Sequence, residues 1–105
     1  MHEVAYTVTA LLPDAVTRDR YVRWLQEGHI QQVVAGGAKE AIVVVIEEPA
    51  TPLKVVCRYI FASKEALDRY TSEHAPKLRA EGLRLFGPEL GVSFERSVGK
   101  VIARN

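Results

Sequence analysis

Histidine is the side chain whose charge changes nearest neutral pH, so His29 and His74 are the first places to look for proton transfer. They sit in parallel settings. One segment runs Trp24-Leu25-Gln26-Glu27-Gly28-His29-Ile30 and on to Gly36-Gly37; the other runs Tyr70-Thr71-Ser72-Glu73-His74-Ala75-Pro76 and on through Arg79 to Gly82. Each places an aromatic residue four or five positions before a histidine, beside a helix interruption: Gly28 in one case, Pro76 in the other. A neutral imidazole there can take up a proton or hydrogen-bond a ligand. The competing reading is structural: His29 caps a broken helix or is satisfied in the core, and His74 bonds a carbonyl freed by Pro76. Metal is not expected. The only nearby carboxylates, Glu27 and Glu73, are each adjacent to a histidine, and adjacent helical positions point about 100° apart.

Other residues bear on the same chemistry. Arg58 interrupts an apolar run, and its two-pronged guanidinium suits a carboxylate or enolate. The alternative is an ion pair within the sheet or across a dimer interface, for example with Glu95. Tyr6, Tyr59 and Trp24 are candidate walls of an aromatic ligand pocket, although aromatics at such spacings also serve as core. Cys57 has no visible activating partner and reads as a small buried hydrophobe. Arg79 and Arg84 read as solvated helix charges.

The elements that must position these residues follow from periodicity. Val4, Tyr6, Val8, Ala10 and Leu12 alternate with more polar neighbours, which is strand spacing. Pro13-Asp14 ends the strand, and Asp14 or Thr17 can cap the helix that follows. Tyr21, Trp24, Leu25 and Gly28 recur at helical spacing, as do Ile30, Val33 and Val34, with a kink or break expected at Gly28 and an end at Gly36-Gly37. Ala41–Ile46 is a β-branched strand, apolar on both faces. Glu47–Pro52 is a loop, and Val55–Ala62 a third strand. Ser63 caps a second helix carrying Leu67, Tyr70, Thr71 and His74 on one stripe. A further helical piece starts near Pro76, carries Leu78, Gly82, Leu85 and Phe86, and stops at Gly87-Pro88. Val92, Phe94 and Val98 mark a last strand toward Ile102.

This order gives a ferredoxin-like βαββαβ sandwich: a four-stranded antiparallel sheet with both helices on one face. At 105 residues, residues 1–105 form one expected domain. Two helices cover only one sheet face, while strands two and three are apolar on both. A second copy packed sheet to sheet would cover the remainder, giving a homodimer.

Composition narrows the function classes. Charged residues are 26% of the chain and the net charge is +1, so no strong field draws nucleic acid or an anionic membrane. The longest apolar run is too short to span a bilayer. A single cysteine and a start without a basic-then-apolar leader pattern fit a cytoplasmic protein. Glycine-rich phosphate loops, metal-ligand spacing and haem-attachment motifs are absent from the sequence, so no cofactor is expected. RNA-recognition domains share this element order. Their third strand needs a glycine and stacking aromatics where this chain has Val55, Val56 and Arg58, so RNA binding is rejected.

The chain resembles the dimeric α/β-barrel superfamily. The resemblance rests on Tyr6, Trp24, His29-Ile30, Gly36, Tyr59, Tyr70 to Pro76, Leu78 to Leu83, and Phe86-Gly87. More closely, it is similar to a bacterial domain-of-unknown-function family within that group. The superfamily includes antibiotic-biosynthesis monooxygenases and muconolactone isomerases. The resemblance implies paired sheets and a ligand cleft between sheet and helices, with catalysis by histidine, tyrosine, tryptophan or arginine. No catalytic position transfers from it. The expected function is binding or transformation of a small, partly aromatic or enolisable molecule, with His29 and His74 catalytic and Tyr6, Trp24, Arg58 and Tyr59 at the ligand. The alternative is a ligand-sensing or structural dimerisation module without chemistry.

Overall fold

The structure is a computed structural model and describes residues 2–105. Strand β1 spans Val4–Leu12, helix α1 Ala15–Trp24, α2 Ile30–Ala35, and strands β2 and β3 Glu40–Val45 and Leu53–Phe61. Helices α3 and α4 span Lys64–Glu73 and Ala75–Leu85, and β4 spans Ser93–Lys100 after a short 3₁₀ turn at Pro88–Leu90. The sheet order is β2-β3-β1-β4, every neighbour antiparallel, which is the ferredoxin-like arrangement. No helix among the described residues is long and apolar enough to cross a membrane.

The caps explain where the helices start. The Asp14 carboxylate accepts a hydrogen bond from the Thr17 N–H at 2.8 Å, so Asp14 and not Thr17 is the cap of α1. The Ser63 hydroxyl accepts from the Ala66 N–H at 3.1 Å and starts α3. Pro76 falls in the first turn of α4, where its missing N–H costs nothing.

Strand alternation sorts the sheet into two faces. Tyr6, Val8 and Ala10 of β1 lie opposite Tyr59, Cys57 and Val55 of β3, and these six pack under the helices. The alternate residues Thr7, Val56, Arg58 and Ile60 form the other face, with Ile42 and Val44 of β2 beside them. Within one chain only one side of β2 is covered, as the count of faces implies: Ile42 and Val44 are each 44% exposed.

The two helical halves meet at Gly36. A Cβ there would lie 3.0 Å from Cδ1 of Tyr70 and 3.1 Å from Cγ of His74. The end of α2 therefore rests directly on the end of α3, with the His74 ring as the spacer. Gly36→Ala should cost about 1–3 kcal/mol from overpacking. In a His74→Ala background the same change should cost less, because one of the two crowding rings is gone and Tyr70 gains room to shift. Denaturant melts of the four proteins in this cycle measure the coupling; additive losses would show that His74 is not the spacer.

Candidate functional site

Helix α1 does not run straight into α2. Between them the chain kinks through Leu25–His29, a wide turn closed by the Ile30 N–H donating to the Leu25 carbonyl. Gly28 within it has φ 158° and ψ −28°, a backbone state open to glycine and strained for other residues. The wide turn decides where His29 points. In a regular α-helix residues five apart face about 140° away from each other. Here Trp24 and His29 stack with ring centroids 4.1 Å apart and planes 21° apart.

This stacked pair faces a cleft between the sheet and the helices. Tyr6, Tyr59, Trp24 and His29 line it together with Arg79 of α4 and Arg96 of β4. Its volume of about 40 Å³ holds a few waters, at roughly 10–15 Å³ each. The Tyr6 hydroxyl accepts from Nη2 of Arg79 at 2.9 Å and from Nε of Arg96 at 3.2 Å. Neither guanidinium forms a salt bridge among the described residues. Nε of Arg79 is buried without a hydrogen-bond partner, and so is Nδ1 of His29.

The cleft favours neutral imidazole and neutral phenols. Burial pushes the His29 pKa down from 6.5 to about 4, with Glu81 pulling weakly the other way. Burial raises Tyr70 to about 12 and pushes Tyr21 and Tyr59 upward too. At neutral pH the positive charge at the cleft therefore belongs to Arg79 and Arg96. The uncharged His29 can accept a hydrogen bond or a proton.

Four of the six residues singled out from sequence come together here: Tyr6, Trp24, His29 and Tyr59. Two do not. His74 is exposed and stacks on Tyr70, centroids 6.2 Å apart, in a surface groove with Gln32 and Lys77. The expectation that both histidines share one cleft is corrected. The parallel between the two segments is an aromatic ring laid on an imidazole, but only the wide turn at Gly28 rotates its imidazole inward. Arg58 has the wrong strand parity for the cleft. It lies on the open face, where its Nε–H reaches the Thr7 hydroxyl at 3.5 Å. Glu95 lies on that same face opposite Thr9, and no ion pair joins it to Arg58 within the chain.

Sequence reasoning missed the two arginines. Arg79 was expected to be a solvated helix charge and is instead bonded to Tyr6. Its position carried a signal: it falls four residues after Ala75 and three before Gly82, both buried on α4. Arg96 shares strand parity with Phe94 and Val98, and the register sets it opposite Val8 on the helix side. No group of three or more His, Cys, Asp or Glu among the described residues could hold a metal ion.

Fold and cleft together define a ferredoxin-like α/β sandwich with its candidate site on the helix side. Residues 3–100 match the family described as a domain of unknown function (DUF4286), and the chain belongs to that family. No curated protein matches it. Among solved structures it is similar to a dimeric ferredoxin-like protein from an uncultured marine organism, with TM-score 0.83, 11% identity and all of both chains covered. It is also similar to an ethyl tert-butyl ether D (EthD) family protein of Bacillus halodurans, with TM-score 0.72 and 13% identity over 95% of this chain and 99% of that one. A variant of SnoaB of Streptomyces nogalater, described as a cofactor-independent oxygenase, aligns with TM-score 0.71 and 11% identity over 99% and 97%. At these identities the likeness establishes the fold.

The His29 shift has a consequence for stability. Its folded pKa of about 4 lies below the 6.5 of the free side chain, so between those values the unfolded chain binds the extra proton. Its contribution to stability is therefore flat above about pH 6.5 and is lost as pH falls toward 4. His29→Gln should flatten that part of the pH–stability curve relative to wild type. The imidazole should titrate near 4 by NMR; a midpoint near 6.5 would overturn the assignment.

Proposed function

We propose that this chain forms a sheet-to-sheet homodimer and that each subunit binds or transforms a small, partly aromatic or enolisable molecule in the cleft. The observation that carries the reading is the buried, unpartnered Nδ1 of a neutral His29 in an aromatic-walled cleft that also holds two guanidiniums without acids. Buried polar atoms are normally paired, and an unpaired one inside a cleft is a natural ligand contact.

The chemistry supported is cofactor-free isomerisation or oxygenation. His29 takes a proton from an acidic C–H or O–H of the ligand. The resulting anion places its charge on oxygen, next to Arg79 and Arg96. In an isomerisation the proton returns to a different atom; in an oxygenation dioxygen is the co-reactant that accepts electrons from the anion. A group at about pKa 4 is a weak base in the empty cleft, but a forming ligand anion beside it raises that value. The neighbours described as dimeric and as a cofactor-independent oxygenase are in keeping with both parts of this reading.

Trp24 is the only tryptophan and stacks on His29, so its fluorescence reports the cleft. Small aromatic and enolisable acids from a screen should quench or shift it and raise the melting temperature. His29→Gln should then abolish turnover of whichever ligand is transformed. A panel that moves neither signal would leave a dimerisation module without chemistry.

The dimer has its own test. Ile42 and Val44 supply the exposed apolar surface, and Arg58 sits among them facing a second subunit, where the partner subunit's Glu95 is its expected acid. Light scattering at micromolar concentration should give a dimer, and Ile42→Glu a monomer. Arg58→Glu should weaken association by about 2–5 kcal/mol, and adding Glu95→Arg should restore much of the loss. A wild-type monomer would sink the assembly; failure of the double reversal would sink only the ion pair.

A further inference from the structure

The Arg79–Tyr6–Arg96 cluster belongs to two spaces at once. On one side it lines the aromatic cleft. On the other it lines an open groove of about 320 Å³ between α3, α4 and β4, whose rim carries Lys64, Thr71 and Ser97. The groove's one carboxylate, Asp68, is held by Lys64 one turn away on α3. The guanidiniums are therefore left unneutralised where the two spaces meet. Arg79 is half-buried beside the exposed Arg96, and burying one cation next to another is costly unless an anion pairs with it. The chain supplies only the phenol oxygen of Tyr6, a neutral acceptor. That oxygen takes two charged donors, and its own O–H finds no acceptor among the described residues.

We propose that Arg79, Arg96 and the Tyr6 hydroxyl form a receptor for the carboxylate of a small aromatic acid, with the ring of that acid entering the aromatic cleft beside Trp24. Planar guanidiniums match a carboxylate's two oxygens, and the idle Nε–H of Arg79 and O–H of Tyr6 are donors waiting for acceptors. Two donors already directed at the Tyr6 oxygen make its proton a stronger donor in turn. The cleft at about 40 Å³ is too small for a ring, so binding must widen it. Leu83, which lines the cleft and is 50% exposed, is the side chain with room to move aside. The inference rests on the cleft reading above and adds the charge class of the ligand.

The test compares benzoate with benzamide, its neutral counterpart of nearly the same shape. Calorimetry on the wild-type protein should show benzoate binding at least about tenfold more tightly than benzamide. Arg79→Gln and Arg96→Gln should each lose about tenfold or more in benzoate affinity and little in benzamide affinity. Tyr6→Phe keeps the ring in place and should also weaken benzoate, which covers the case where the arginine variants fail to fold. Equal affinity for the two probes, or benzoate affinity kept within about twofold in both arginine variants, would overturn the receptor. So would the absence of any benzoate binding at millimolar concentration. Equal affinity with quenched Trp24 fluorescence would reject the receptor and keep the cleft. Arginine-dependent benzoate binding that leaves Trp24 fluorescence and the His29 resonance unchanged would overturn the placement of the ring beside Trp24 and reject His29 as the site's base.

Discussion

An uninterrupted α-helix through residues 15–35 would spread Tyr21, Leu25 and Val33 around its axis. At 3.6 residues per turn, Val33 would lie about 120° around the axis from Tyr21. The kink at Gly28 breaks that phase, and α2 restarts with Val33 turned into the core. All three are then buried, at 3%, 0% and 1% exposure. The same break carries His29 round to stack on Trp24 and face the cleft. One local departure from α-geometry keeps the core stripe in phase and aims the imidazole. Core packing and the candidate chemistry are in this sense one constraint, and Gly28 is the residue that permits it.

The electrostatics of the cleft follow from what the core lacks. The phenols of Tyr21, Tyr59 and Tyr70 are held neutral by burial, and so is the His29 imidazole. Arg79 and Arg96 stay charged, since guanidinium does not give up its proton in proteins. Their stabilisation within the chain comes from the Tyr6 oxygen and, for Arg96, from the Phe94 ring 5.5 Å away. Both contacts are weaker than a carboxylate would give, so the empty cleft presents positive potential into an apolar space. An anion formed or bound there is stabilised without any rearrangement of solvent, which is how fixed donors assist reactions that build charge on oxygen.

How much of this was legible in the sequence depends on whether a residue obeyed a regular period. The strands alternate cleanly, so the order of elements, the sheet and the inward placement of Tyr6 and Tyr59 could all be read. Alternation also held the placement of Arg58 and Arg96. Arg58 differs in parity from Cys57 and Tyr59, which puts it on the open face, and Arg96 shares parity with Phe94, which puts it inward. Both placements follow from strand phase alone, which sets Arg58 against the ligand-pocket role and brings Arg96 to the cleft. The two histidines are a different case. A glycine announces an interruption but not its geometry. Breaks of different bend at Gly28 would each send His29 in a different direction, and the one formed here stacks it on Trp24. His74 ends α3 four residues after Tyr70, and its ring lies along that tyrosine against Gly36, in the surface groove and not in the cleft.

The two faces of the sheet are coupled through β1. Tyr6 and Thr7 are neighbours pointing to opposite sides: Tyr6 accepts from Arg79 and Arg96 under the helices, and Thr7 meets Arg58 on the open face. Strand β1 is also central, paired to β3 and β4 along nearly its whole length, so its position cannot shift without moving both. Packing a second sheet against Arg58, Ile42 and Val44 would therefore restrain the same strand that holds Tyr6. Fixed donors lose value when they drift, since a displacement of even 1 Å forfeits much of a charged hydrogen bond's geometry. Covering the apolar face and keeping the Tyr6 hydroxyl where two guanidiniums converge are thus consequences of one strand held from both sides.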